Sequence, residues 1–170
     1  VLTDNPEYFQ RLSEFRHHGI VRGGEADGGW FYRIERLGHN FRITDFQCVL
    51  GLNQLGKLDQ FIARRREIAA RYLRELADVP QIKLPVTRGE VDPVYHLFVI
   101  QLNLETLTAD RRRIYDALRA ENIGVGVHYI PVHRQPYYQR EYGYREGDFP
   151  VAEDYYARAL TLPLFPAMSD

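Results

Sequence analysis

Hydrophobic and polar residues along this chain fall into runs of helical and strand period, and the breaks between the runs outline a fold. From about Pro6 to His17, Phe9, Leu12 and Phe15 recur at helical spacing and predict a short amphipathic helix. The stretch Gly19 to Gly29 breaks that period and reads as a loop. It leads into Trp30-Phe31-Tyr32-Arg33-Ile34, a short aromatic strand or hairpin arm. The strongest element begins at Thr44, where Thr44-Asp45-Phe46-Gln47 has the form of a capping box with an acidic residue in the first turn. An apolar stripe then runs from Phe46 through Leu50, Leu58, Ile62 and Tyr72 to Leu76, at a period near 3.6 residues. It predicts one long helix ending before Pro80, eased at Gly51 or Gly56, with Arg64, Arg65, Arg71 and Arg74 on its opposite face.

Beyond Pro80 the periods alternate. Tyr95 to Leu102 reads as a buried strand, and Thr108 as the cap of a helix to about Asn122 with Ile114, Tyr115 and Leu118 inward. Ile123 to Ile130 reads as a second strand, stopped by Pro131, which opens a long loop rich in His, Tyr and Gln. A short helix from Pro150 to Leu160 and a last strand, Thr161 to Leu164, close the chain. The alternation indicates an α/β or α+β domain, without internal repeats.

Composition narrows the function. A chain of 170 residues has the size of one ordinary domain, and 45% hydrophobic with 13% aromatic residues argues against disorder. Lys+Arg 22 against Asp+Glu 23 leaves no footprint for a nucleic-acid or anionic-membrane partner. The basic residues are nearly all arginine, the better fork for phosphate; the only lysines, the usual Schiff-base residues, are Lys57 and Lys83. A single cysteine, Cys48, excludes an internal disulfide and fits a reducing cytoplasm. No apolar run approaches a membrane span, and the first residues have no signal-peptide character. The chain starts without methionine and opens as the end of a strand would, which reads as a segment of a longer polypeptide.

Several chemistries find no support. The histidines His17, His18, His39, His96, His128 and His133 show no metal-binding spacing, and no P-loop, dinucleotide fingerprint or nucleophile elbow is present. Cys48 falls on the long helix beside Val49, where buried packing is expected. Arg64, Arg65 and Arg66 point in different directions on a helix, so a solvated face paired with Glu67 and Asp59 is expected. Lys57, mid-helix, and Lys83, in a Pro-flanked loop, are not placed to desolvate an amine.

Two segments concentrate polar residues where a core would not want them. In Leu37-Gly38-His39-Asn40-Phe41-Arg42, Asn40 and Arg42 precede the start of the long helix, whose free N–H groups favour anions. A phosphate grip is one reading; a turn at Asn40 with Arg42 paired to Asp45 is the other. In Gly124-Val125-Gly126-Val127-His128-Tyr129, strand alternation puts Gly124, Gly126 and His128 on one face. That bare face either admits a ligand or packs tightly on a helix. His133, Gln135, Tyr137 and Tyr138 follow, with donors and flat rings suited to a sugar or nucleobase.

At these segments the chain resembles a known family. Leu37-Gly-His-Asn-Phe-Arg-Ile-Thr-Asp-Phe-Gln, His18-Gly19-Ile20, Tyr95-His96-Leu97-Phe98-Val99, Val127-His-Tyr-Ile-Pro-Val-His133 and Leu162-Pro163-Leu164 are similar to motifs of the DegT/DnrJ/EryC1/StrS nucleotide-sugar aminotransferases. Trp30-x-Tyr32 and Gln135-Pro136-Tyr137-Tyr138 look most like the branch that makes pseudaminic acid. His39 and Phe41 depart from the residues usual in the family.

The resemblance implies the small C-terminal α/β (α+β) domain of a fold-type-I aminotransferase, with one long helix and a small sheet. Residues 1–43 would end the large cofactor domain and form an inter-domain or dimer arm, and residues 44–170 the small domain. It implies a cytoplasmic homodimer with shared active sites, pyridoxal phosphate as cofactor, glutamate as donor and a UDP-linked 4-keto-6-deoxy sugar as acceptor. The Schiff-base lysine would lie upstream, so the chain alone is expected to be inactive. Asn40 and Arg42 would contact the cofactor phosphate; Val127, His128 and Tyr129 would line the nucleotide-sugar pocket, with His133 and Tyr95 nearby. A sugar 3-dehydratase of the same family and a non-catalytic nucleotide-sugar-binding or dimerisation module are the competing readings.

Overall fold

A computed structural model describes residues 1–24 and 30–169, so the second half of the expected Gly19–Gly29 loop lies outside the described residues. The chain divides into two compact units, Val1–Gly56 and Lys57–Asp170.

In the first unit, helix α1 (Pro6–Phe15) starts where its sequence provides a cap. The Asn5 carboxamide oxygen accepts from the amides of Glu7 and Tyr8, and Pro6 takes the first turn, where no N–H is needed. Strand β1 (Ile20–Arg22) pairs antiparallel with β2 (Tyr32–Ile34), Ile20 opposite Ile34. The aromatic arm is therefore a strand as expected, but its partner occupies part of the stretch read as loop. Three residues between glycines are too few to establish a period.

A strap formed by residues 38–41 lies antiparallel against residues 15–18. The amides of His18 and Phe41 donate to the carbonyls of His39 (3.0 Å) and Arg16 (2.9 Å), and His17 faces Asn40. The approach is close enough to demand glycine on both sides. A Cβ on Gly38 would stand 2.1 Å from the Gly19 nitrogen, and one on Gly19, whose φ is +70°, 1.8 Å from the Arg36 carbonyl oxygen.

Helix α2 (Asp45–Leu55) begins with the expected capping box, Thr44 and Gln47 exchanging side-chain and backbone hydrogen bonds. None of its residues is buried; Phe46 is 79% and Leu52 69% exposed, and Cys48 is half-buried rather than buried as expected.

The second unit opens with α3 (Leu58–Glu75), so the single helix predicted from Thr44 to Leu76 is two. Gly56 closes α2, donating its N–H to the Leu52 carbonyl, and Lys57 starts α3 without a side-chain cap. An apolar stripe continues across such a break undisturbed, and glycine holds a helix more weakly than any residue but proline.

Helix α3 buries Ile68 and Ala69 against an antiparallel sheet of β3 (Ile82–Lys83), β4 (Phe98–Leu102) and β5 (Ala159–Leu162), in that order. Along β4 the core positions alternate as a two-residue period requires, with Phe98, Ile100 and Leu102 buried. Phe98 faces Leu162 and Ile100 faces Leu160 in the register. Val125 and Leu164 complete the core, and Ile114, Tyr115 and Leu118 of α4 (Arg111–Ala120) pack on it as expected. Asp110 caps α4 in place of the expected Thr108, its carboxylate accepting from the Arg113 amide at 2.8 Å.

The segment Ile123–Ile130 is not a strand. The Val125 amide donates back to the Ile123 carbonyl, a three-residue turn that breaks the extended run, and only Gly126 bridges to Thr161 on β5. The loop expected after Pro131 contains a 3₁₀ turn, Val132–Arg134, and helix α5 (Pro136–Tyr142). Its tyrosines make no apolar stripe, but Pro136 in the first turn and Gly143 at φ 73° were readable as start and stop. Helix α6 (Pro150–Arg158) matches the expectation, and β5 starts two residues earlier than predicted.

The arginine run is not the solvated face it was expected to be. Arg64 pairs with Glu67 (2.8 Å) but also donates to the Met168 carbonyl (2.7 Å). Arg65 donates to the carbonyls of Tyr95, His96 and Leu164, and Arg66 to Pro93 and the Asp92 carboxylate. Loop carbonyls without ladder partners need donors, and each guanidinium carries five. On α6, Arg158 forks onto Glu105 (2.9 and 2.6 Å) and reaches Asp154 (2.8 Å), holding the Glu105 carboxyl down to about 2. Lys57 is exposed in the turn before α3, and Lys83 is exposed on β3 rather than in a loop.

Candidate functional site

The strap presents the first cluster. His17 and Asn40 are a directly opposed, non-hydrogen-bonded pair, the arrangement that brings side chains closest across two strands. Alternation places Asn40 and Arg42 on one side, with His39 and Phe41 on the other. The His39 and Phe41 rings stack at 4.9 Å, and Phe15 meets both edge-on. The Asn40 carboxamide oxygen accepts from Arg42 Nε (3.1 Å) and from the Arg42 amide (3.4 Å). Arg42 is therefore joined to Asn40. With the amide oxygen occupied, the pair offers the Asn40 NH₂ and the Arg42 Nη groups, all of them donors. A donor-only surface suits a phosphate or carboxylate.

The second cluster follows Val125. His128 Nδ1 lies 2.8 Å from the Thr161 hydroxyl, and a Cβ on Gly126 would stand 2.9 Å from His128 Cε1. The histidine's own ring thus fills the space that the glycine leaves over position 126. Gly124 remains open, with nothing within 4 Å of a Cβ there. Val127 is half-buried against the core, while Tyr129 is 71% exposed.

His133 is 7% exposed, its Nε2 2.7 Å from the Glu153 carboxylate, which also accepts from the Gly147 amide at 2.8 Å. The Gly147 amide and then His133 hold the Glu153 carboxyl below the usual range. His133 is therefore built into a wall. Tyr95 takes a left-handed backbone (φ 50°), its ring 6.1 Å from Phe98 and its hydroxyl 3.5 Å from that of Thr87. Both residues thus have partners within the fold.

His133 and Tyr138, two of the residues expected to offer surface to a sugar or base, line a hollow of about 450 Å³ with Pro131, Tyr142, Tyr144 and Phe149, which were not foreseen. Tyr138 stacks on Tyr142 and Tyr142 on Tyr144, each at 5.9 Å, with Phe149 edge-on at 5.6 Å. A neighbouring hollow contains Tyr129 and shares Pro131, Phe149 and Ala152 with the first, so the aromatic surface continues from Tyr129. The four-residue spacing of Tyr138 and Tyr142 was the available signal, once α5 is recognised as a helix. The structure thus joins Asn40 to Arg42 in the first unit and gathers Tyr129 and His133 around one aromatic groove in the second.

Among the described residues no group of three or more His, Cys, Asp or Glu could hold a metal, and no helix is long and apolar enough to cross a membrane.

The model of the DegT/DnrJ/EryC1/StrS aminotransferase family matches residues 1–170. The chain is 39% identical over 173 residues to the spore coat polysaccharide biosynthesis protein SpsC of Bacillus subtilis, covering 99% of this chain and 44% of SpsC. Helicobacter pylori PseC, an aminotransferase involved in the biosynthesis of pseudoaminic acid, superposes with a TM-score of 0.85 at 27% identity, over 98% of this chain and 43% of PseC. S. venezuelae DesV, solved in complex with a ketimine intermediate, superposes with a TM-score of 0.82 at 34% identity, over 99% and 42% of the two chains. The chain spans less than half the length of each of these proteins.

Proposed function

Because the chain belongs to the DegT/DnrJ/EryC1/StrS aminotransferase family, we propose that it is the C-terminal portion of a pyridoxal-phosphate-dependent aminotransferase. The enzyme transfers the amino group of glutamate to a UDP-linked 4-keto-6-deoxy sugar used in cell-surface polysaccharide or glycan synthesis. In this reading residues 1–43 end the large cofactor domain and form an arm, and residues 44–170 are the small domain of a cytoplasmic homodimer. The observation that carries it is a family match along the whole chain, combined with coverage of only 42–44% of the relatives.

Two structural features support the division of labour. Lys57 and Lys83, the only lysines, are exposed, so neither has the dry surroundings that make an amine nucleophilic at neutral pH. The apolar faces of α1 and α2 stand open, as surfaces would that complete their packing on the remainder of the enzyme.

The donor set of Asn40 and Arg42 fits a phosphate, which makes these two the residues that would hold the cofactor's phosphate. Pyridoxal phosphate supplies the group that accepts the amine from glutamate and passes it to the keto-sugar. This chain contributes position. Arg42, fixed by Asn40, holds the anion, and His128, fixed by Thr161, directs its free ring nitrogen. Tyr129 and the aromatic groove beside it offer flat surfaces to sugar and base, and the His133–Glu153 pair keeps that wall in place.

The test is an assay of the full-length protein with glutamate and a panel of UDP- and dTDP-linked keto-sugars. Amination of a UDP-4-keto-6-deoxy sugar is the expected outcome. Loss of a ring hydroxyl without amination would move the protein to the dehydratase reading, and binding without turnover to a non-catalytic module.

A further inference from the structure

We propose that His17 is a third member of the phosphate site formed by Asn40 and Arg42, donating from Nε2–H to the same anion. The inference rests on the reading of Asn40 and Arg42 given above, and adds a residue from a different segment of the chain.

Geometry brings His17 there. It is the residue directly opposite Asn40 in the non-hydrogen-bonded pair, so its side chain leaves the backbone on the side that carries Asn40 and Arg42. The Gly19–Gly38 crossing fixes that pairing, since neither position admits a Cβ without a backbone clash. Three nitrogen-bearing side chains, from two segments, therefore share one face.

The ring itself is unsatisfied. His17 Nδ1 is buried without a hydrogen-bond partner, although the residue as a whole is only half-buried. A buried nitrogen with nothing to accept its proton favours the tautomer with the hydrogen on Nε2.

The surroundings are positive. Burial of the ring first, and then the charges of Arg42, His18, Arg22 and Arg16, hold the His17 pKa below the ordinary value. Among the described residues no carboxylate compensates. Glu14, whose backbone carbonyl accepts from the His17 amide, turns its carboxylate to Arg36 (2.9 Å) and Gln10 (2.8 Å). His39 is stacked on Phe41, on the opposite side of the strap. An anion bound at Arg42 would relieve this field and accept a hydrogen bond from a neutral imidazole.

The ligand chemistry is a phosphate group, supplied either by the cofactor or by the diphosphate of the sugar nucleotide. Binding to the full-length protein separates the two sources. UDP is titrated calorimetrically and pyridoxal phosphate by absorbance on the apoprotein, for wild type, His17→Gln and Arg42→Ala. His17→Gln is expected to raise the Kd of one of the two probes about tenfold, the size of one net hydrogen bond to a charged group. Weakened UDP binding assigns the diphosphate; weakened pyridoxal phosphate binding assigns the cofactor.

If Arg42→Ala weakens either probe and His17→Gln weakens neither, the assignment of His17 is wrong and the Asn40–Arg42 reading stands. If neither variant weakens either probe, the reading of Asn40 and Arg42 itself falls. An imidazole titration of the wild-type protein by NMR is free of any folding defect in the variants. The His17 midpoint is expected to rise when the bound probe is present, and no movement with either probe would overturn the proposal.

Discussion

Gly38→Ala is expected to detach the strap that carries Asn40 and Arg42, and to abolish the phosphate binding proposed for them without touching either residue. The methyl group would enter 2.1 Å from the Gly19 nitrogen and 2.5 Å from the His18 carbonyl carbon. Both are backbone atoms of the segment it crosses, so no rotamer change relieves the clash, and the strands must separate. Gly19→Ala should behave alike, because its φ of +70° adds a left-handed penalty of about 1–2 kcal/mol to a contact with the Arg36 carbonyl. Hydrogen exchange at the His18 and Phe41 amides, which close the strap, is the direct readout, alongside the Kd for pyridoxal phosphate and for UDP. Gly51→Ala is the control. A Cβ there meets nothing within 4 Å on α2, so it should leave the strap closed and favour the helix by about 0.5–1 kcal/mol.

Phe98→Ala is the second large effect, and it acts on the other unit. Phe98 and Leu160 are the large side chains with no exposure at all, and Phe98 packs at 5.1 Å from Tyr72 of α3 and 6.1 Å from Tyr95. Removing the ring opens a cavity between helix and sheet that rigid neighbours cannot refill, at a cost of about 3–5 kcal/mol. Denaturant midpoints at unchanged slope would measure it. Phe46→Ala, on the open face of α2, removes the same group from a residue that is 79% exposed. In the full-length enzyme its effect should fall on association with the remainder of the assembly.

These predictions draw on features that differ in how visible they were in the sequence. The capping box at Thr44, helix α6 and the inward residues of α4 were legible because each has a local chemical cause. The break at Gly56 was not, since a hydrophobic stripe has the same phase on both sides of a short turn. The arginine run misled for a related reason. Spacing indicates where a guanidinium points, whereas the carbonyls of Tyr95, His96 and Leu164 reach Arg65 only through the tertiary fold.

The candidate site divides along the same line. Asn40 and Arg42 could be singled out from their place before a helix, but that the amide oxygen would be spent on Arg42, leaving only donors, is a matter of coordinates. At Gly126 the missing side chain makes room for His128, two residues on, which strand alternation alone cannot distinguish from room for a ligand. The aromatic groove depends on α5, where the Tyr138–Tyr142 spacing becomes a signal only once the short helix itself is recognised.

If, as proposed, this chain completes an aminotransferase site, the lysine that binds the cofactor lies elsewhere in the protein. Borohydride reduction of the full-length enzyme with pyridoxal phosphate fixes the cofactor to its lysine, and peptide mass spectrometry locates the tag. A single modified lysine outside these 170 residues is the expected result. A stoichiometric tag on Lys57 or Lys83 would contradict it.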